Sequence, residues 1–289
     1  MLHSFSGNAD GGLPYSPLIL DAAGNLYGTT YFGGDKQTCG GGCGVVFKLD
    51  VNGNETVLYT FSSFDGGQQS SGGLILDSAG NLYGTTEFGG DAFCGDPNPL
   101  GCGVVFKLDK NGNESVLHTF EYSGGDDAAA GLIRDAAGDF YGPTVFGGYG
   151  GPSVGGTGRC GDIGCGVVFK LNKKGTETVV RRFTGGADGA HPSFGSLIMD
   201  SAGNLYGTTD SGGPPGCANY ACGVVFKLDQ SNNETVLHTF SSFNGTYGYG
   251  PDGGVIMDSA GNLYGTAYFG GNLNDCQGEG CGVIFKITP

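Results

Sequence analysis

Residues 77–86 read DSAGNLYGTT, and the same ten residues or a close variant begin again at Asp21, Asp135, Asp200 and Asp258. The five aspartates stand 56, 58, 65 and 58 positions apart. Self-similarity at such a period marks a repeat architecture. Each unit carries four short strand-like runs in the same order. In the second unit they are GGLILD (72–77), NLYGTT (81–86), GVVFKL (103–108) and ESVLHTF (114–120). Ser-Ala-Gly joins the first two as a tight turn, and DKNGN (109–113) joins the last two with an Asn-Gly hairpin signal. Four antiparallel strands in a unit of this length predict the blade of a β-propeller. Five units predict an all-β, single-domain, five-bladed propeller, with repeats at about 6–61, 62–120, 121–183, 184–240 and 241–289 plus 1–5.

The two ends bear on how the ring closes. The last unit stops at GVIFKITP (282–289), before a fourth strand. The chain opens on MLHSF (1–5), which aligns with VLHTF at 116–120 and 236–240. The first residues are therefore expected to complete the fifth blade and remove an exposed sheet edge. Residues 2–5 completing a neighbouring chain's fifth blade is the alternative. Tethering favours closure within one chain, because it sets a high effective concentration. A chain that starts inside a repeat shows no signal peptide, and a removed leader is compatible with that.

Within the recurring stretch, Asp77, Gly80 and Asn81 read as turn chemistry. The carboxylate accepts nearby backbone N–H groups and glycine takes positive φ. Leu82 and Tyr83 are expected to pack between blades. The pattern D-x-x-G-N-L-Y-G-T-T, then F-G-G, then G-V-V-F-K-L, resembles the GloVer tandem repeat of bacterial extracellular proteins over all five units. Its first part is also similar to repeats of sensor-type and other bacterial propellers. The resemblance implies an exported, secreted or surface-attached propeller-like protein, and it implies no reaction. The chain departs from that pattern in carrying a cysteine pair in every blade and no C-terminal anchoring segment.

The chain has 289 residues, 62 of them glycine without a Gly-X-Y period, which excludes collagen. Its formal charge is −15 with no Lys/Arg cluster, so nucleic acid is not an expected partner. No apolar run approaches the roughly 20 residues a membrane helix needs.

Ten cysteines fall as five local pairs: Cys39/Cys43, Cys94/Cys102, Cys160/Cys165, Cys217/Cys222 and Cys276/Cys281. Each pair lies between the second and third strands of its unit. Identical placement of an even count predicts disulfides formed within each loop in an oxidising compartment. A metal site would need convergent His or further Cys, and these loops hold no His. No metal and no cofactor are expected, and no Asp-x-Asp-x-Asp-Gly loop supports calcium.

These loops share one face of a propeller with the connections between blades, SSFDGGQQSS (62–71), EYSGGDDAAA (121–130), TGGADGAHPSF (184–194) and SSFNGTYGYGPDGG (241–254). Long loops on a rigid scaffold are where binding resides. The candidate ligand residues there are Tyr122, Asp126, Asp127, Asp188, His191, Tyr247, Tyr249 and Asp252. Aromatic faces and polar side chains of this kind suit carbohydrate, although the chain has no Trp. An extracellular protein partner, or a structural and self-assembling surface such as a filament or surface-layer subunit, is the competing expectation.

A glycoside hydrolase would need two or three blade-specific carboxylates at the axial mouth. The recurrent acids Glu55, Glu114, Glu177 and Glu234, and the recurrent lysines from Lys48 to Lys286, read as scaffold. His3, His118 and His238 share one outer-strand position, leaving His191 as the blade-specific histidine. All four arginines, Arg134, Arg159, Arg181 and Arg182, fall in the third unit, where drift with charge compensation competes with an anionic contact. Asn54, Asn113, Asn233 and Asn244 sit in Asn-x-Ser/Thr sequons, the first three in the hairpin turn. The expectation is a binding or structural surface module with no catalytic residue assigned; a carbohydrate-active enzyme is the rival.

Overall fold

Asp77 shows why the turn recurs. In the computed structural model its Oδ1 accepts the Ala79 and Asn81 N–H groups at 2.9 Å each. Its Oδ2 accepts Asn81 Nδ2 at 2.9 Å and the Tyr83 hydroxyl at 3.0 Å. Gly80 closes the turn at φ 83°, where a side chain would be strained. Asp21, Asp200 and Asp258 make the same contacts. In the third unit Asp139 replaces the asparagine and pairs with Lys170 at 2.9 Å. The outer hairpins use the same device: Asn54, Asn113 and Asn233 donate their side-chain amides to Asp50, Asp109 and Asp229.

The structure describes residues 1–289 except 38, 63–66, 91–93, 95–100, 149–159, 162, 193–194, 214–221, 241–247, 273, 275, 277–279 and 289. The first sheet is β1 (Ile19–Leu20), β2 (Leu26–Thr29), β3 (Val45–Leu49) and β4 (Glu55–Thr60). The second is β5 (Ile75–Leu76), β6 (Leu82–Thr85), β7 (Val104–Leu108) and β8 (Glu114–Thr119). The third is β9 (Ile133–Arg134), β10 (Phe140–Thr144), β11 (Val167–Leu171) and β12 (Glu177–Arg182). The fourth is β13 (Ile198–Met199), β14 (Leu205–Thr209), β15 (Val224–Leu228) and β16 (Glu234–Thr239), and the fifth is β17 (Ile256–Met257), β18 (Leu263–Ala267) and β19 (Val283–Ile287). All pairings are antiparallel and follow chain order, giving five propeller-like blades. Gly161–Ile163 forms a 3-10 turn, and among the described residues no helix is long and apolar enough to cross a membrane.

The core lies between blades. In β7, Val104, Val105 and Phe106 are fully buried, because both faces of the strand meet neighbouring blades. The outer strand of each blade sends its last aromatic onto the third strand of the next. Phe61 meets Phe106, Phe120 meets Phe169, Phe183 meets Phe226 and Phe240 meets Phe285, edge to face at 4.9–5.3 Å. The recurrent glutamates join the same seams. Tyr59 lies 3.5 Å from Glu114, His118 3.2 Å from Glu177, and Arg181 2.6 Å from Glu234. The pairing of the two outer strands in blades one to four also carries a β-bulge, as between Val105 and Phe106, which adds local twist.

Lys48, Lys170, Lys227 and Lys286 stand over Tyr27, Tyr141, Tyr206 and Tyr264 at 5.3–5.7 Å. Three of the third-unit arginines make contacts within the scaffold. Arg134 lies over Tyr83 and Phe140, Arg181 pairs with Glu234 and Asp188, and Arg182 donates to the Ser123 and Gly148 carbonyls. Arg159 lies outside the described residues.

The expected fourth strand of the fifth blade is not formed. The fifth sheet has three strands, and residues 1–5 pair with none of them. The segment lies instead against blade one, in the position an outer strand takes against the blade that follows it. Phe5 meets Phe47 at 5.0 Å and His3 stands 3.6 Å from Glu55. The Phe–Phe and His–Glu contacts hold it there, and among the described residues the fifth sheet ends at β19.

Candidate axial binding site

Four disulfides lie wholly among the described residues: Cys39–Cys43, Cys94–Cys102, Cys160–Cys165 and Cys276–Cys281. Cys222 is also disulfide-bonded, and Cys217 lies outside the described residues. The second cysteine of a pair does more than close its own loop. Its carbonyl accepts a backbone N–H from the next blade: Gln69 from Cys43 at 2.9 Å, Asp127 from Cys102 at 3.3 Å, His191 from Cys165 at 2.8 Å, and Gly250 from Cys222 at 3.2 Å.

These four residues and Leu13 of blade one occupy one special position. Leu13, Gln69, Asp127, His191 and Gly250 have φ of 53°, 58°, 62°, 53° and 65°. Four of the five carry side chains in the left-handed region, which costs on the order of 1–3 kcal/mol each and concentrates at functional sites. The carbonyl of each then accepts the N–H of the residue just after the second strand: Tyr31, Glu87, Val145, Asp210 and Tyr268, at 2.9–3.2 Å. Every blade thus presents a braced pair, and the pair differs in every blade.

Beside this rim lies a cavity of about 450 Å³, lined by residues that include Tyr15, Pro17, Tyr31, Ser71, Glu87 and Ser196. Its walls come from four blades, because the segments entering the inner strands converge there. A Cβ added to Gly131 would meet Ser196 Oγ at 2.7 Å and Gly73 N at 3.0 Å. Glu87, 6% exposed, accepts the Tyr31 hydroxyl at 2.9 Å, and its other oxygen lies 2.5 Å from Ser71 Oγ. Ser71 also reaches the Ala129 carbonyl at 2.9 Å.

Burial raises the Glu87 carboxyl above its usual range, against the hydrogen bonds from Ser71 and Tyr31. A protonated Glu87 fits its surroundings: it donates to Ser71, Ser71 donates to Ala129 O, and Tyr31 donates to the remaining oxygen. Asp127 is pushed up to about 8, by burial first and then by the charges of Glu87 and Asp126. Burial also lifts the Tyr31 hydroxyl, with Glu87 adding to it.

On the next blade His191 Nδ1 lies 2.8 Å from Ser211 Oγ. Burial lowers the His191 pKa and raises that of Asp210, each partly offset by the other's charge.

The sequence profile of the Gloeobacter/Verrucomicrobia repeat matches residues 1–153 and 98–289. The chain belongs to this repeat family. No curated protein sequence matches it. Among solved structures, this Gloeobacter/Verrucomicrobia repeat protein is similar to XC5397 from Xanthomonas campestris. That structure is described as a gluconolactonase important in glucose secondary metabolic pathways. The identity is 16% over 97% of this chain and 78% of that one, with a TM-score of 0.51. It is also similar to a luciferin-regenerating enzyme, at 14% identity over 94% and 76% of the two chains and a TM-score of 0.46. At 16% identity the Xanthomonas likeness extends to the fold alone.

Of the expected ligand residues of the repeat protein, Asp127 and His191 belong to the rim. Asp126 does not: it is 7% exposed, its carboxyl lies within 4.8 Å of the Cys94 and Cys102 sulfurs, and burial raises it to about 6. Asp188 accepts from Thr184, Gly186 and Arg181 and so holds its own loop. Tyr249 is buried and stacks on Phe269 at 4.8 Å. Tyr122 is half-buried away from the cavity walls, and Asp252 lines a separate hollow on blade five. Tyr247 lies outside the described residues.

Tyr15, Tyr31, Ser71, Glu87, Asp210 and Ser211 were not singled out by sequence reasoning. A signal for them exists. The residue following the second strand changes from unit to unit in GTTYFGG, GTTEFGG, GPTVFGG, GTTDSGG and GTAYFGG. That is variation at a fixed position inside an otherwise constant motif. Two other groups of potential metal ligands are accounted for by structure. His3, Asp10 and Glu55 gather at the blade-one seam, and the Cys94 and Cys102 sulfurs beside Asp126 are joined to each other.

Proposed function

We propose that this chain is a disulfide-braced ligand-binding module, exported or displayed at the cell surface, which takes a small polyhydroxylated, carbohydrate-like molecule at the axial mouth. The carrying observation is the cavity of about 450 Å³ with Tyr15, Tyr31, Ser71 and Glu87 in its wall. Tyr15 and Tyr31 stand 5.7 Å apart at a 59° tilt, and Tyr15 is 64% exposed, so an aromatic face is open to stack on sugar C–H surfaces. Ser71 and Glu87 supply donors and acceptors beside it. The carboxyls held up by burial oppose an anionic ligand and suit a neutral one. The disulfides point to an oxidising compartment.

The test is a glycan array followed by calorimetry on the oxidised protein. Binding should weaken about tenfold in Tyr15→Ala, a substitution at an exposed position that leaves the core intact. A blank array, or unchanged affinity in that variant, removes the axial sugar site.

One observation favours a second reading. Glu87 and Asp127 lie close enough for one charge to raise the other's pKa, as an acid and base on either side of a glycosidic bond would. Hydrolysis of a glycoside panel that disappears in Glu87→Gln would establish that reading.

A further inference from the structure

We propose that Ser211 and His191 form a nucleophile–base pair on blade four that hydrolyses neutral carboxylic esters. The reasoning begins with one departure from the repeat. Phe32, Phe88, Phe146 and Phe269 hold in the other four blades the position that Ser211 holds here. In all five blades this residue bridges the one just before the positive-φ position: Gly12, Gln68, Asp126, Ala190 and Tyr249. The Ala190 N–H donates to the Ser211 carbonyl at 2.8 Å, and the Ser211 N–H to Ala190 O at 3.1 Å. The backbone is therefore the common one, and only the side chain is new.

Blade five shows what the exchange does. A Cβ added to Gly250, the counterpart of His191, would meet the Phe269 ring at 3.7 Å. In blade four a hydroxyl and an imidazole meet instead, with Ser211 Oγ 2.8 Å from His191 Nδ1. The other acceptor for that hydroxyl, Ala190 O, is farther away at 3.2 Å. Phe146 of blade three packs edge to face on the imidazole at 5.2 Å. Ser211 and His191 are both half-buried, so solvent still reaches the pair.

The base is also held in place. The His191 N–H donates to Cys165 O at 2.8 Å, and its carbonyl accepts the Asp210 N–H at 3.1 Å. Between these bonds the residue stands at φ 53°, a strained conformation that Gly250 adopts without a side chain. Burial favours the neutral imidazole, and the Asp210 charge favours the ring once it is protonated. With its proton on Nε2, the neutral ring offers the Nδ1 lone pair to the Ser211 hydroxyl, as a general base does.

The chemistry of the surroundings selects the ester. The charged group facing His191 is Asp210, and Asp252 faces Asp210 in turn. Arg134, Arg181 and Arg182 are engaged elsewhere in the scaffold. An anionic phosphate ester would meet repulsion there, and a neutral carboxylic ester would not. Ser211 Oγ adds to the ester carbonyl carbon while its proton passes to His191 Nδ1. The carbon–oxygen bond to the alcohol then breaks, and that proton goes to the leaving oxygen. Water repeats the sequence on the acyl-serine: it gives a proton to Nδ1, its oxygen adds to the carbonyl, and Ser211 leaves with the proton. Ester and water become acid and alcohol. Among the described residues, neither Ser211 nor His191 lines the axial cavity, so this site and the sugar seat can fail independently.

A neutral fluorophosphonate tests the nucleophile in the unaltered protein, because phosphorus bonds to an activated serine oxygen as fluoride leaves. Peptide fragmentation should place the adduct on Ser211, formed at least roughly tenfold faster than on any other serine. Hydrolysis of p-nitrophenyl acetate should be lost in Ser211→Ala, which keeps the backbone bridge to Ala190. It should fall at least roughly a hundredfold in His191→Asn, where asparagine tolerates the left-handed region. Asp210 is a positioning residue here. Asp210→Asn removes the charge that favours the protonated ring, so the acid limb of the rate profile should move to lower pH. Labelling of Ser211 no faster than of other serines overturns the proposal. So does hydrolysis unchanged in Ser211→Ala, or an acid limb that stays where it was in Asp210→Asn.

Discussion

Side chains that stand at positive φ without being glycine describe the axial rim better than any motif does. Gly250 shows that the fold accepts glycine at this position, yet the other blades keep Leu13, Gln69, Asp127 and His191 there. Gln69→Gly should therefore stabilise the protein by on the order of 1 kcal/mol, strain relief exceeding the entropic cost of glycine. Urea unfolding measures this; a loss of stability would mean that the Gln69 side chain holds the rim together. Asp127 allows a sharper test. With a folded-state pKa of about 8 and an unfolded one near 3.9, both states hold the proton below about pH 4. As pH rises the unfolded chain loses its proton first, so native stability falls until the folded carboxyl also ionises near pH 8. Asp127→Asn removes that decline, and asparagine tolerates the left-handed region. Its melting temperature should match the wild type near pH 4 and exceed it increasingly up to pH 8. Parallel curves would show that Asp127 ionises in its ordinary range.

Elements are where sequence and structure agree most closely, and the reason is local. The Asp-Gly-Asn turn, the hairpin after β7 and the Val-Val-Phe run each need only neighbours a few residues away, so their residues announce them. What depends on contacts across a seam was less legible. His3, His118 and Arg181 share one outer-strand position, and only the packed blades reveal that each faces the glutamate opening the next outer strand. The axial residues were hidden for a related reason. A repeat is recognised by what stays constant, and Glu87 appears as a departure until geometry joins it to Tyr31 in the wall of one cavity. The missing strand of blade five tests the packing directly. Phe120 is fully buried against Phe169, and Phe120→Ala should cost roughly 3–5 kcal/mol. Phe5 makes the same ring contact with Phe47 but comes from a segment with no strand pairing and stays half-exposed. Phe5→Ala should cost clearly less in dilute solution, by chemical denaturation. Equal losses would mean that residues 2–5 are fully integrated in the monomer.

For the whole molecule, the disulfides and the axial site form one mechanical system. Each blade is a hydrogen-bonded sheet, and the blades bury their own aromatic seams. What the second cysteine contributes beyond its blade is a carbonyl aimed at the positive-φ residue of the next. A disulfide closing so short a loop is worth roughly 2 kcal/mol in the loop-entropy model. That is less than a blade's packing and comparable to the strain at the position it braces. Reduction should therefore loosen the rim before it unfolds the sheets. Hydrogen exchange followed by mass spectrometry reads the order. After reduction, peptides carrying the Gln69, Asp127 and His191 amides should lose protection first, while those covering β7, β11 and β15 stay slow. Simultaneous loss across sheets and rim would mean that the cysteines hold the blades themselves, and the link from disulfide to binding seat would fall with it.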